Sequence, residues 1–268
     1  MTQVAVCQVR INVDEPVATR QALTDAAAEA SAQGASVIIL PELAMSGYVF
    51  RDLAEANLRA ESVRGDAVTF YRELSVRHDA IVVAGFSERS GGDRPYNSLV
   101  VVDGGEVLAV YRKTHLWGTE KLMFAAGTER APVVRTRAGV LAAMICYDLE
   151  FPEMVRDVAL RGAQIVAAPS NWPAIRPVAD ERPPEVTKAQ ANAAVNRVFV
   201  VVGDRVGVER GVDWIGGSVI CDPDGYPVAG PALGQETVLV ADLDLDRALD
   251  KRAGPHNDVL ADRRTDLY

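Results

Sequence analysis

Short apolar runs recur along the whole chain: VAVCQV near Val4, SVIIL ending at Leu40, AIVVAGF, NSLVVVD, EVLAVY, VLAAMI, QIVAAP, RVFVVVGD, WIGGSVI and ETVLVADL. Each has the length of a strand, is rich in Val and Ile, and is mostly continuous rather than alternating, the pattern of strands covered on both faces. Between several of them the apolar period lengthens to that of a helix. A cap at Asp14 leads through Pro16 into VATRQALTDAAAEASAQ, closed by Gly34, and DAVTFYRELSVRHD, EMVRDVALR closed by Gly162, and EVTKAQANAAVNR read the same way. The alternation predicts an α/β chain. Asp103-Gly104-Gly105 separates two strands as a hairpin turn would, and DPDGYP from Asp222 to Pro227 reads as a second tight turn. A purely parallel sheet has no use for hairpins, so the expectation is mixed sheets covered by helices. Four prolines in NWPAIRPVADERPP mark Trp172 to Pro184 as the best candidate for a long surface loop.

Composition narrows this picture. The 268 residues, 49% hydrophobic and 24% charged, can bury a sizeable core. No polar linker, repeat or low-complexity tract divides them, so residues 1–268 are expected to form one domain. The formal charge of −9 argues against a nucleic-acid backbone or an anionic membrane as the main partner. No apolar run reaches the roughly 18 residues of a membrane span, and no basic stretch leads into a long apolar one at the start. The expectation is a cytoplasmic protein. Cys7, Cys146 and Cys221 form no CxxC pair and cannot all be bridged within one chain, which fits a reducing compartment. The three histidines, His78, His115 and His256, are widely separated and offer poor material for zinc, so no metal is expected.

Three reactive side chains stand just past the ends of apolar runs: Glu42 after SVIILP, Lys113 after EVLAVYR and Cys146 after VLAAMI. Crevices beyond the carboxyl ends of strands are the usual ligand sites of α/β folds, so one site could receive all three. A free thiol is mostly protonated at neutral pH and needs a base, a cation or a helix N-terminus to become a nucleophile. The helical pattern beginning near Pro152 and Glu153 could supply backbone donors. Burial beside a thiol would raise the pKa of Glu42 into the range of a general base. Lys113 beside a reacting carbonyl could stabilise an oxyanion. Cys7 and Cys221, mid-strand and without such neighbours, read as buried fillers.

Taken together, PELAMSGY, YRKTHLW and ICYDLEFPE resemble the three blocks that carry the Glu-Lys-Cys triad of the nitrilase, or carbon-nitrogen hydrolase, superfamily. EKLMFAAG with its Gly127 turn, PSNWP at Pro169 to Pro173, and GGSVICDPDG from Gly216 extend the resemblance, which runs from VAVCQV to ETVLVADLDLD. It implies a four-layer α-β-β-α sandwich of the nitrilase type. It also implies Cys146 as nucleophile, Glu42 as general base, Lys113 as oxyanion stabiliser, Glu120 as a second positioning glutamate and the Tyr147 backbone N–H as an oxyanion donor. No cofactor is implied, and pairing through EFPEMVRDVALR implies a homodimer, with larger homo-oligomers open.

Within the superfamily, Tyr147-Asp148 after the nucleophile disfavours nitrile hydrolysis, where Trp-Glu is typical. Leu149, Glu150 and Phe151 stand where carbamoylases of amino acids tend to carry arginines. YRKTHLWGTEKLMF and the tail NDVLADRRTDLY look most like the aliphatic amidase branch. The resemblance therefore implies small aliphatic or amino-substituted primary amides as substrates, with N-carbamoyl amines or amino acids as the alternative. Tyr48, Trp117, Asn171 and Trp172 are candidates to line the pocket by adjacency to the motifs. His115 is expected to order the Lys113 loop, and Asn196 and Arg197 to be structural. A Cys-His hydrolase would need His115 or His256 at Cys146, there is no GxSxG elbow or GxGxxG, and an inert binding scaffold is argued against by the intact Glu42, Lys113, Glu120 and Cys146.

Overall fold

The computed structural model describes residues 1–175 and 181–267. The strands are β1 (Thr2–Gln8), β2 (Val37–Ile39), β3 (Ile81–Glu88), β4 (Tyr96–Asp103), β5 (Glu106–Arg112), β6 (Val133–Thr136), β7 (Gly139–Ala143) and β8 (Ile165–Pro169), then β9 (Phe199–Gly203), β10 (Val206–Glu209), β11 (Val212–Ile215), β12 (Val219–Cys221), β13 (Pro227–Ala229), β14 (Thr237–Leu243), β15 (Arg252–Gly254) and β16 (Asn257–Asp258). The helices are α1 (Pro16–Ala32), α2 (Leu53–Leu58), α3 (Asp66–His78), α4 (Glu120–Met123), α5 (Pro152–Leu160) and α6 (Pro184–Asn196).

Two six-stranded sheets carry the architecture, ordered β14-β1-β2-β3-β4-β5 and β13-β12-β9-β8-β7-β6. Each has a parallel trio at its centre, β1-β2-β3 or β7-β8-β9, flanked by antiparallel strands. The hairpins seen in the sequence supply those flanks: Gly104 and Gly105, at φ +55° and +80°, turn β4 into β5, and Gly225 at φ +87° turns β12 towards β13.

Strand alternation then decides what each sheet touches. On the first sheet Val4, Val6, Val37, Ile39, Ile81 and Val83 share one cluster with Ile165, Phe199 and Val201 of the second sheet, on the side where Gly203 approaches Ile39. The opposite face, with Ala5, Cys7, Ile38 and Val82, packs under α1 and α3 through Leu23, Ala27, Tyr71 and Leu74. The second sheet is covered by α5 and α6 through Val155, Val158, Val186 and Ala189. The result is the expected α-β-β-α sandwich, and it explains why the strand runs are continuous rather than alternating. Each fully buried Val or Ile contributes about 1.5–3 kcal/mol as an upper estimate.

Three local expectations are corrected. WIGGSVI is two strands, β11 and β12, broken at Gly216, where φ is +64° and a Cβ would sit 2.8 Å from Gln8 and Val206 atoms. The residue before α1 is Glu15 rather than Asp14, with Pro16 in the first turn, where its missing N–H costs nothing. The stretch from Trp172 is not a surface loop at its start: Trp172 is buried and Pro173 bridges to Trp214. The rest of that loop falls partly on residues 176–180, outside the described residues. The sequence reading also missed α2, α4, β6, β10 and β13, each too short to show a period. Among the described residues no helix is long and apolar enough to cross a membrane.

Candidate active site

Strand ends deliver the side chains. Glu42 follows β2 on a turn in which Leu43 takes φ +49°, Lys113 is the residue after β5, and Cys146 stands three residues past β7. Glu42 and Lys113 are fully buried, and Cys146 and Glu120 nearly so. Lys113 Nζ donates to Glu42 Oε1 at 2.7 Å and to Glu120 Oε1 at 2.8 Å. Its own backbone is strapped on both sides, since Lys113 N donates to the Asn97 carbonyl and Gly127 N to the Lys113 carbonyl, each at 2.8 Å. Gly127 is required there, because a Cβ would lie 2.2 Å from the Arg112 carbonyl oxygen.

The carboxylates are held as firmly. Asn97 Nδ2 donates to Glu42 Oε1 at 2.6 Å, while Glu42 Oε2 is buried with no hydrogen-bond partner among the described residues. Glu120 Oε1 also accepts from Tyr48 Oη at 2.5 Å, and its Oε2 from Trp117 N at 3.1 Å. Tyr48, a candidate to line the pocket, thus stands against Glu120 beside Lys113. Asn97 carries no sequence signal beyond an amide side chain at the head of the apolar run LVVV.

Cys146 adopts φ +47°, the left-handed region that a non-glycine residue occupies only when its surroundings hold it there. Its chain then enters a 3₁₀ turn over Cys146–Glu150, whose first N–H groups, Tyr147 among them, lack acceptors within the turn. Asp148, fully buried, ties this elbow down. It accepts from Ile145 N at 3.2 Å, Tyr111 Oη at 2.8 Å, Thr114 Oγ1 at 3.1 Å and His115 N at 3.0 Å, and its Oδ1 lies 2.8 Å from His115 Nδ1. One carboxylate thereby joins the Cys146 elbow to the Lys113 loop. The sequence reading expected His115 to order that loop and missed Asp148 as the partner.

Charge explains the protonation states. Burial pushes the Glu42 carboxyl up, to about 7, against the pull of Lys113 and with help from Glu120. Burial alone would lower Lys113, but Glu120 and Glu42 outweigh it and hold the ammonium well above its usual range. Burial and the Glu42 charge push the Cys146 thiol well above its usual value. Its Sγ donates to the Asn171 carbonyl at 3.7 Å. The arrangement can therefore keep a neutral thiol beside an ionisable carboxylate and a permanent cation. Cys7 and Cys221 are also raised by burial, Cys221 to about 12, but have no such company.

Cys146 opens onto a cavity of 1090 Å³ whose lining includes Trp117, Tyr147, Asn171, Trp172, Ile215 and Leu233. Asn171 is buried with neither side-chain polar atom bonded, and Trp172 Nε1 is in the same state, among the described residues. Asn196 and Arg197 lie elsewhere: Arg197, at φ +47°, ends α6 and pairs with Asp224 at 2.7 Å. Among the described residues no His, Cys, Asp and Glu cluster could hold a metal ion.

This fold and site belong to a class of hydrolases acting on carbon-nitrogen bonds other than peptide bonds. The chain belongs to the carbon-nitrogen hydrolase family, whose sequence pattern matches residues 3–252. A nitrilase of Pyrococcus abyssi is 35% identical over 269 residues, covering 100% of this chain and 99% of its own. An (R)-stereoselective amidase of a Pseudomonas species is 36% identical over 85% of this chain and 79% of its own. The crystal structure of an amidase from Nesterenkonia sp. superposes with a TM-score of 0.84 at 31% identity, covering 99% of this chain and 94% of that one. A mutant of that amidase carries the product of Michael addition of acrylamide at its active site cysteine.

Proposed function

We propose that the protein, one domain over residues 1–268, is an amidase that hydrolyses small aliphatic or amino-substituted primary amides to carboxylic acid and ammonia. The observation that carries this reading is Lys113 locked between two buried carboxylates next to a buried thiol on a left-handed elbow. Cys146 Sγ attacks the amide carbon as its proton passes to Glu42, and Lys113 with the Tyr147 N–H stabilises the oxyanion. The C–N bond breaks as Glu42 returns that proton to the nitrogen, ammonia leaves, and a thioester remains. Water then attacks while Glu42 takes its proton. The second intermediate expels the thiolate, which recovers the proton as the carboxylic acid departs. Asn171, whose side-chain amide has no partner among the described residues, and Trp172 beside it in the cavity lining support a reading in which they bind the substrate amide and its chain. Among the described residues around the mouth, Glu150, Glu181 and Glu185 stand with Arg182 and Lys188, and Lys188 is already paired to Glu150 at 2.5 Å, which favours neutral or amino-bearing chains over carboxylates. Pairing of two copies through α5 is the assembly the family resemblance supports.

The test is ammonia release from propionamide, an ω-amino amide, the matching nitriles and N-carbamoyl amines, with intact-mass detection of an acyl adduct. Amides should turn over fastest, and Cys146→Ala should abolish both turnover and adduct. Turnover of the carbamoyl compounds alone, or activity persisting in Cys146→Ala, would overturn the reading.

A further inference from the structure

Directly after β9 the chain places Asp204 and Arg205, both fully buried and neither used in the chemistry above. They reach in opposite directions. Asp204 accepts from Trp172 N at 2.9 Å and from Gly217 N at 2.8 Å, and so fixes the segment whose Asn171 carbonyl receives the Cys146 thiol. Arg205 donates through Nη1 to Glu209 Oε2 at 2.9 Å and through Nη2 to the Ile11 carbonyl, with its guanidinium 4.6 Å over the Trp214 ring.

Glu209, also fully buried, is the organising centre of the second arm. Its Oε1 accepts from Val13 N at 2.8 Å, and its Oε2 from Tyr48 N at 3.0 Å and Val49 N at 2.9 Å. The turn is moulded onto this carboxylate: Gly47 has φ +74°, and a Cβ there would sit 2.6 Å from Glu209 Oε1. Trp214, under the guanidinium, meets Tyr48 edge to face at 5.1 Å. Tyr48 in turn donates to Glu120, which holds Lys113. A buried ion pair adds little or no stability over packed apolar residues of the same volume. What this pair supplies is a fixed orientation for three backbone N–H groups and the tyrosine they carry.

We propose that Glu209, held in place by Arg205, is a positioning residue that fixes Tyr48 and, through it, the Glu120 carboxylate that holds Lys113. The proposal rests on the amidase reading for its kinetic test and on geometry alone for a second one.

The experiment is a double-mutant cycle on Glu209→Gln and Tyr48→Phe, with kcat and KM measured per Cys146 site titrated by iodoacetamide. Gln cannot accept three N–H bonds as the carboxylate does, so each single variant should lower kcat by about tenfold to a hundredfold with KM little changed. The double variant should be no slower than the slower single, because both cut one chain of contacts. Arg205→Lys should retain most of kcat, and Arg205→Met should match Glu209→Gln; this pair decides the matter if Glu209→Gln does not fold. Losses that multiply in the double variant, or a lowered melting temperature with unchanged kcat per titrated site, would overturn the proposal. The second measurement is the pH profile of Cys146 alkylation, which needs no amide turnover. Glu209→Gln and Tyr48→Phe should displace it in the same direction and by the same amount, and a profile unmoved by Glu209→Gln would overturn the proposal. An inactive wild type would refute the amidase reading and leave this profile to decide the positioning role.

Discussion

Two carboxylates and one ammonium, all withdrawn from water, leave the neighbourhood of Cys146 with an excess of negative charge when every group is ionised. That excess, added to burial, is why the thiol is raised and why a proton acceptor has to act on it. Glu42 is suited to that task because burial lifts it to about 7, where it can both take and return a proton near neutrality. The sign of the pH dependence follows. Below about 7 the Glu42 carboxyl is protonated and cannot accept from the thiol, so kcat/KM should fall about tenfold per pH unit on the acid side and level off above. A kcat/KM profile for propionamide from pH 5 to 9 checks this, and a flat acid limb would remove Glu42 as the base. Glu42→Gln should cost about 10²–10⁴ in kcat at neutral pH, the usual contribution of a positioned base. At this scale Glu42, Lys113 and Cys146 were legible because each directly follows an apolar run. Asn97, Asp148 and Glu209 were not, since the partners that give them a role lie far along the chain, Glu42 for Asn97, Tyr111 and His115 for Asp148, and Val13 and Tyr48 for Glu209.

Elements act here as rigid mounts whose ends carry the chemistry. The Glu42 turn is clasped onto β3: Gly85 N donates to the Pro41 carbonyl and Ala44 N to the Gly85 carbonyl, each at 3.1 Å. A Cβ at Gly85 would lie 2.4 Å from Leu43 N and 2.7 Å from Glu42 Cα, so only glycine allows the turn to sit this close. Gly85→Ala should therefore destabilise the protein by about 1–3 kcal/mol through overpacking, and should also lower kcat because the displaced backbone is that of Glu42. Urea unfolding read alongside steady-state kinetics tests both parts; an unchanged midpoint and kcat would mean the turn has slack to give. The periodic elements themselves were readable, α1, α3, α5 and α6 from their period and, for α1 and α5, from the closing glycines Gly34 and Gly162. Short pieces such as α4, which presents Glu120, were not, because four residues make one turn and show no period.

The whole molecule joins these mounts through the face the two sheets share. Ile39, three residues before Glu42, is fully buried in the cluster common to both sheets. Ile39→Ala should cost about 2–5 kcal/mol in urea unfolding. With one shared core, far-UV circular dichroism and tryptophan fluorescence should report a single coincident transition in both wild type and variant. Separate transitions would divide the sandwich into independently folding halves. The sequence by itself determined the α/β class, the double coverage of the strands, the strand ends that bear Glu42, Lys113 and Cys146, and the resemblance that gave them roles, because periodicity and local motif are properties of neighbours along the chain. Which sheet faces which, the two carboxylates on one ammonium, the elbow at Cys146 and the buried charges behind Tyr48 were decided only by tertiary structure. Those contacts join residues as far apart as Val13 and Glu209, and a hydrogen bond or a desolvated charge exists only once folding has brought its partners together and excluded water.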